Sequence, residues 1–284
     1  MDEFAIIPFA ARTRVPAVLP CYVLTLDSPL GIRYRSAARQ LARLPLDVTF
    51  VPGVRLDDPN MAPRYSVWRN RLFMKRPMTG GEVGVFMGHR RIWRRLLAAG
   101  HDLALVFEDD FLIHDDDALL AAIADSCSLP IAWDIVKLFD FKPKVAVRRW
   151  QANATTFVAY KYPPSGCVGY LIRASAAARL LERRTIYRPI DEDWSHPWES
   201  GLTIISVEPN PVTEAAVHLG GSLLEADRQA TKGRHRSVVR SLHGGLLTLV
   251  KNARAAWWLA GMKPSDAGYA TPADGSSATR RAAA

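Results

Sequence analysis

The chain has 284 residues, 49% hydrophobic and 23% charged, with a net charge of +9. That suffices for one large domain or a domain plus a small appendage, and no apolar run is long enough to span a bilayer. Three widely spaced cysteines (Cys21, Cys127, Cys167) argue against a disulfide framework or a zinc site and fit a reducing compartment, while the positive charge suits an anionic partner.

Residues 1–20 carry little signal; they start acidic and lack the apolar core of a secretory signal. A first strand is predicted at residues 21–26, running into the turn-rich Asp27-Ser28-Pro29-Leu30-Gly31. A helix over 33–44 places Ala37, Leu41 and Leu44 on one face, and a strand at 46–51 closes a β-α-β unit. Nucleotide-binding α/β domains usually begin this way. No glycine-rich phosphate loop follows the first strand, so phosphate must be held by other means.

Residues 57–75 are polar, broken by prolines, and read as a loop region with short helices. Thr79-Gly80-Gly81-Glu82 is a capping box that starts a helix ending near Gly100. Glu82, Phe86, His89, Trp93 and Leu96 share one face of it. Spacing alone favours a capping role for Glu82 and a core histidine at His89.

The stretch 103–113, LALVFEDDFLI, carries the most chemistry. A short buried strand ends in Glu108, Asp109 and Asp110, and unpaired buried charge is costly. A divalent cation resolves the conflict, because Mg²⁺ and Mn²⁺ take carboxylate oxygens and bridge to phosphate. Ligands of open α/β sheets lie outside the carboxyl ends of strands, where these acids stand. The bland alternative is a solvated acidic turn.

Further on, residues 118–126 read as a short helix, and 133–141 as a strand with Asp140 near its end. Residues 142–159 form a basic loop or hairpin, 167–172 a strand, and Ser175 is expected to cap a helix over 176–183. Pro189-Ile190-Asp191-Glu192-Asp193-Trp194 is a second acidic cluster, read either as site or as a solvated loop or helix N-cap. A last strand is expected at 202–207, then a loop carrying Glu214 and His218. From residue 226 the chain turns basic. Val239, Leu242, Leu246, Leu249, Ala253 and Trp257 recur at helical spacing, fitting a membrane-interface helix or one packed back on the domain. Residues 264–284 have the composition of a disordered tail.

Several pieces in order resemble glycosyltransferase family 25, which includes bacterial lipooligosaccharide galactosyltransferases and collagen galactosyltransferases. They are Leu26-Asp27-Ser28 with Arg33 or Arg35 nearby, and Thr79-Gly-Gly-Glu82-Val-Gly84 followed by His89 and Trp93. Glu108-Asp109-Asp110, Gly169-Tyr170 and Pro189-Ile190-Asp191 continue the series. Gly88 stands where the family usually has serine, and Val85 where it often has cysteine.

The resemblance implies an α/β, GT-A-like single Rossmann-type domain with a mixed, mostly parallel sheet, over residues 21–225. A lead-in (1–20), a basic amphipathic helical region (226–263) and a tail (264–284) complete the chain. It further implies a UDP-sugar donor, Mn²⁺ or Mg²⁺, and inverting transfer of a hexose to a glycan or glycolipid acceptor.

Donor-binding residues are then Leu26, Asp27, Arg33, Arg35, Thr79, Glu82, His89, Glu108 and Asp109. Asp110 is the expected direct metal ligand, Glu108 or Asp109 would touch the ion, its waters or the ribose, and His218 is a candidate third ligand against the plainer reading of a loop histidine. Asp191, then Asp193, is the general base. Trp194 or Trp198 would stack on a sugar. No nucleic-acid partner is expected. The expected location is the cytoplasm, with a peripheral place on the anionic inner face of the inner membrane. A glycoside hydrolase using paired carboxylates, or a non-catalytic binder of anionic ligands, are the competing readings.

Overall fold

The computed structural model describes residues 18–55, 64–74, 76–215, 219 and 238–261, with side chains of the last helix from 244 to 260. The helices and strands, in chain order, are β1 (Leu19–Thr25), α1 (Ile32–Leu41), β2 (Leu46–Pro52), α2 (Val67–Phe73), α3 (Gly80–Ala98), β3 (Leu103–Glu108), β4 (Phe111–Ile113) and α4 (Asp116–Ser126). Then follow β5 (Ile135–Lys137), β6 (Ala146–Ala152), β7 (Thr155–Tyr160), β8 (Gly169–Arg173), α5 (Ala174–Glu182), α6 (Ile190–Trp194), β9 (Ile204–Glu208), β10 (Val212–Glu214) and α7 (Val238–Gly261).

Eight strands form one sheet in the order β2-β1-β3-β8-β5-β9-β7-β6. Strands β2, β1, β3, β5, β9 and β6 run one way; β8 and β7 run the other. The central strands are buried on both faces, so their sequences are mostly apolar, with Lys137 of β5 and Ser206 of β9 as buried exceptions. Along β3, Leu103, Leu105 and Phe107 enter a core shared with Leu41 of α1 and Ile123 of α4. Ala104 and Val106 enter the opposite core with Phe86 and Trp93 of α3 and Leu180 of α5. The result is a three-layer α/β/α domain, and each fully buried large apolar side chain adds about 1.5–3 kcal/mol.

The capping box forms as expected: Thr79 Oγ1 accepts from the Glu82 amide, and a Glu82 carboxylate oxygen accepts from the Thr79 amide. Helix α3 then lies close on the sheet because it carries glycine where it crosses. A Cβ at Gly84 would stand 2.6 Å from the Val54 carbonyl oxygen, and one at Gly88 would meet the Leu24 methyls at 2.6 and 2.8 Å. Leu24 therefore occupies the space that a residue-88 side chain would need.

Some expectations are corrected and others, the short helix in 57–75 and the hairpin in 142–159, are met. Only residues 135–137 of the 133–141 stretch form a strand, and residues 142–159 hold the β6–β7 hairpin. The N-cap of α5 is Arg173, without a side-chain cap, so Ser175 lies inside the helix. The 57–75 region contains α2, and the 209–222 loop contains β10, which pairs with β4. Among the described residues no helix is long and apolar enough to cross a membrane.

Candidate active site

Strand β3 carries Glu108, Asp109 and Asp110 to its carboxyl end, beside the end of β1. Asp109 accepts from Thr25 Oγ1 at 2.5 Å and from Arg33 Nη1 at 3.0 Å. The same Arg33 nitrogen lies 3.2 Å from Asp110 Oδ2. Asp109, Asp110 and Arg33 are all buried, each 8% exposed. The other Asp110 oxygen, Oδ1, is buried without a hydrogen-bond partner among the described residues. Burial, then the charge of Glu108, pushes the Asp110 carboxyl up to about 7; Arg33 opposes this, and Asp109 and Glu214 add to it. Glu214 is brought near by the β4–β10 pairing, which sets it opposite Phe111.

Asp27 shapes the turn between β1 and α1. Its carboxylate accepts from the Ser28 and Arg33 amides, and its own amide donates to Thr25 Oγ1. Leu26 and Arg35 are exposed.

A hydrogen-bonded chain runs from the core to Glu108. Trp93 Nε1 donates to Tyr170 Oη at 3.1 Å, Tyr170 Oη lies 2.8 Å from His89 Nδ1, and His89 Nε2 lies 3.1 Å from Glu108 Oε1. The Trp93 indole is only a donor. With a neutral His89 carrying its proton on Nε2, Tyr170 donates to Nδ1 and His89 donates to the carboxylate, so every group is satisfied. His89 has no exposed surface. It is therefore buried away from any donor and orients Glu108, which matches the reading of a satisfied core histidine rather than a donor contact. Trp194 packs edge-on against Tyr170 at 4.8 Å and is 2% exposed, so it cannot stack on a sugar. Thr79 and Glu82 likewise serve α3: both are buried, and Glu82 also pairs with Arg76 at 2.5 Å.

The second acidic cluster forms α6. Asp191 Oδ1 accepts from the Glu192 amide at 2.9 Å. The buried Cys167 thiol is pushed up by burial, then by the charges of Asp191 and Glu108, so both carboxylates lie within electrostatic reach of one sulfur. Asp193 faces another way. It is buried against Arg183 (3.2 Å) and Arg188 (3.5 Å), two guanidiniums that Glu199 also binds. That network anchors α6 and takes Asp193 away from a proton-transfer role.

Lys137 was not legible as a site neighbour, although a lysine within the apolar stretch 133–141 was the signal. Its fully buried ammonium reaches Asp140 Oδ1 at 2.7 Å and the carbonyls of Pro164 (2.5 Å) and Ser165 (3.3 Å). It thereby pins the loop that leads to Cys167 and to Val168, whose carbonyl accepts from the Glu108 amide at 3.0 Å.

The residues around Asp110 fit a divalent cation. Glu108, Asp109 and Glu214 all act electrostatically on the Asp110 carboxyl against Arg33, and Asp110 Oδ1 has no hydrogen-bond partner among the described residues. Among the described residues no three His, Cys, Asp or Glu side chains form a ready-made metal cluster. His218 lies outside the described residues.

Residues 20–194 match the model of glycosyltransferase family 25 (LPS biosynthesis protein). The chain is similar to a glycosyltransferase 25 family member of Aedes aegypti, 30% identical over 162 residues, or 52% of this chain and 26% of that protein. It is also similar to procollagen galactosyltransferase 1-A of Xenopus laevis, 27% identical over 121 residues, 41% of this chain and 20% of the other. A human relative, inactive glycosyltransferase 25 family member 3, is 26% identical over 165 residues, 51% and 27% of the two chains. The chain thus spans about a quarter of the length of these relatives. With the family model covering β1 through α6, where the acids, the His89 chain and Asp191 all lie, the protein belongs to glycosyltransferase family 25.

Proposed function

We propose that the protein is an inverting glycosyltransferase that moves a hexose, galactose or glucose, from a UDP-sugar to a hydroxyl of a glycan acceptor such as a lipopolysaccharide or lipooligosaccharide core. The observation that carries this reading is the buried Asp110 oxygen at the carboxyl end of β3, unpartnered among the described residues and close to Glu108, Asp109 and Glu214.

Asp110 and Glu108 would hold Mn²⁺ or Mg²⁺ there. When bound, such an ion supplies Lewis-acid neutralisation of the charge that develops on the leaving diphosphate. Arg33 and Thr25 fix Asp109, which keeps the acidic turn in place. Trp93, Tyr170 and His89 fix the Glu108 carboxylate. Inversion requires the acceptor hydroxyl to attack the face of the sugar opposite the diphosphate. Asp191, at the start of α6, takes its proton as general base.

The exposed face of α7 carries Leu246, Leu249, Val250 and Trp257 beside Arg254, and the helix has no acidic residue. That composition suits the surface of an anionic membrane on the cytoplasmic side, where a glycolipid acceptor would lie.

Thermal unfolding with UDP, with and without Mn²⁺, tests the reading. Saturation a hundredfold above the dissociation constant stabilises by about 2.7 kcal/mol. A rise that needs both ligands and disappears in Asp110→Ala supports the transferase and opens a donor screen. Binding without transfer to any acceptor would mark a non-catalytic member. Indifference to UDP and EDTA, with cleavage of a glycoside, would mark a hydrolase.

A further inference from the structure

We infer that α7, which lies beyond the family-matching residues 20–194, is a strap that positions Asp191 through Lys251; this inference rests on the transferase reading above. Lys251 Nζ donates to Glu192 Oε1 at 3.0 Å and to Ser195 Oγ at 2.6 Å. Glu192 is the residue whose amide donates to Asp191 Oδ1, so one ammonium holds the residue that aims the base. The Ser195 amide donates in turn to the Asp191 carbonyl.

Helix α6 has only five residues and cannot hold its place unaided. Its inner flank is fixed by the Arg183 and Arg188 pairs to Asp193, and its outer flank by Lys251. The neighbouring residue of α7, Asn252, accepts from Lys161 Nζ at 3.1 Å and from the Tyr162 hydroxyl. Those two residues precede the loop that Lys137 pins and that reaches Val168 beside Glu108. Ala255, one turn on, is fully buried, so the helix is seated by packing as well as by charge. The strap therefore ties the acceptor side, at Asp191, to the donor side, at Glu108.

The experiment compares wild type, Lys251→Met, Glu192→Gln and the double variant in the full chain. Two readouts are taken: amide hydrogen exchange, and kcat against donor KM. The amides of Asp193, Ser195 and His196, bonded to the carbonyls of Pro189, Asp191 and Asp193, should exchange about tenfold faster in Lys251→Met and less so in Glu192→Gln, which weakens the contact by removing its charge. Sheet amides should be unchanged. Displacing a base costs turnover and spares donor affinity, so kcat should fall about tenfold or more with donor KM constant. The double variant should lose no more than Lys251→Met alone, because that change already removes the contacts of Lys251 with both Glu192 and Ser195.

Unchanged exchange at residues 193–196, or additive losses in the double variant, would overturn the strap. Failure of the wild type itself to bind UDP or to transfer would sink the transferase reading instead, and the exchange readout does not depend on it.

Discussion

Replacing Asp110 by Asn should stabilise the metal-free protein while abolishing its function. Asn keeps the shape, and its carbonyl oxygen can still accept from Arg33 Nη1, now 3.2 Å from Asp110 Oδ2. What it removes is a buried charge with one orphaned oxygen. Burial, then Glu108, raises the folded carboxyl to about 7 from the ordinary 3.8. A raised acid leaves stability intact below the unfolded value and erodes it as pH rises through the folded one. The penalty is on the order of 1–2 kcal/mol at pH 5 and grows to a few kcal/mol by pH 8. Urea unfolding in EDTA at both pH values, with m held constant, reads the difference directly. The Asn variant should be the more stable at pH 8, with the gap narrowing towards pH 5. It should also lose the joint UDP and Mn²⁺ shift. A variant no more stable than wild type at pH 8 would refute the reasoning, since the carboxylate would then be satisfied by the fold alone.

Tyr170→Phe removes the hydroxyl that Trp93 donates to and that faces His89 Nδ1, leaving two buried groups unpaired. Urea unfolding should show a loss of about 1–3 kcal/mol, and a loss under half of that range would show that the chain is not needed. Gly88→Ala drives a methyl into the Leu24 side chain, for a cost of about 1–3 kcal/mol. In a Leu24→Ala background the same change should be nearly neutral, and additivity in this double-mutant cycle would contradict the packing described.

Elements whose signal is local were legible in the sequence. The capping box at Thr79 and the apolar runs of β1, β2 and β3 need only neighbours within a few residues to specify them. The Glu-Asp-Asp turn was legible for the opposite reason, because three carboxylates at the end of a buried strand break the expected pattern. Pairings between distant short strands were not. Nothing near Phe111–Ile113 announces a partner at Val212–Glu214, so Glu214 could be placed in a loop but not beside Asp110.

Side-chain roles were harder still. Asp191 and Asp193 are two residues apart and chemically equal in sequence; what separates them is Arg183 and Arg188, drawn in from the other side of α6. The Lys137 ammonium has partners at 140, 164 and 165, a set that no periodicity reveals. Trp194 looked suited to a sugar because aromatic residues flank such sites, yet Tyr170 claims its ring.

Strand β8 also governs the order in which the domain can assemble. It sits between β3 and β5, antiparallel to both, although it follows both in the chain. As the chain leaves the ribosome, β1, β2 and β3 can pair at once, but β3 then presents a bare edge until residue 173 has been made. Such an edge is a template for wrong partners, so it is a natural point for chaperone capture or self-association during synthesis. The acids made early must wait for Val168 and Tyr170 before Glu108 is held. A truncated product ending before β8 would therefore carry the whole acidic turn and still lack a finished site.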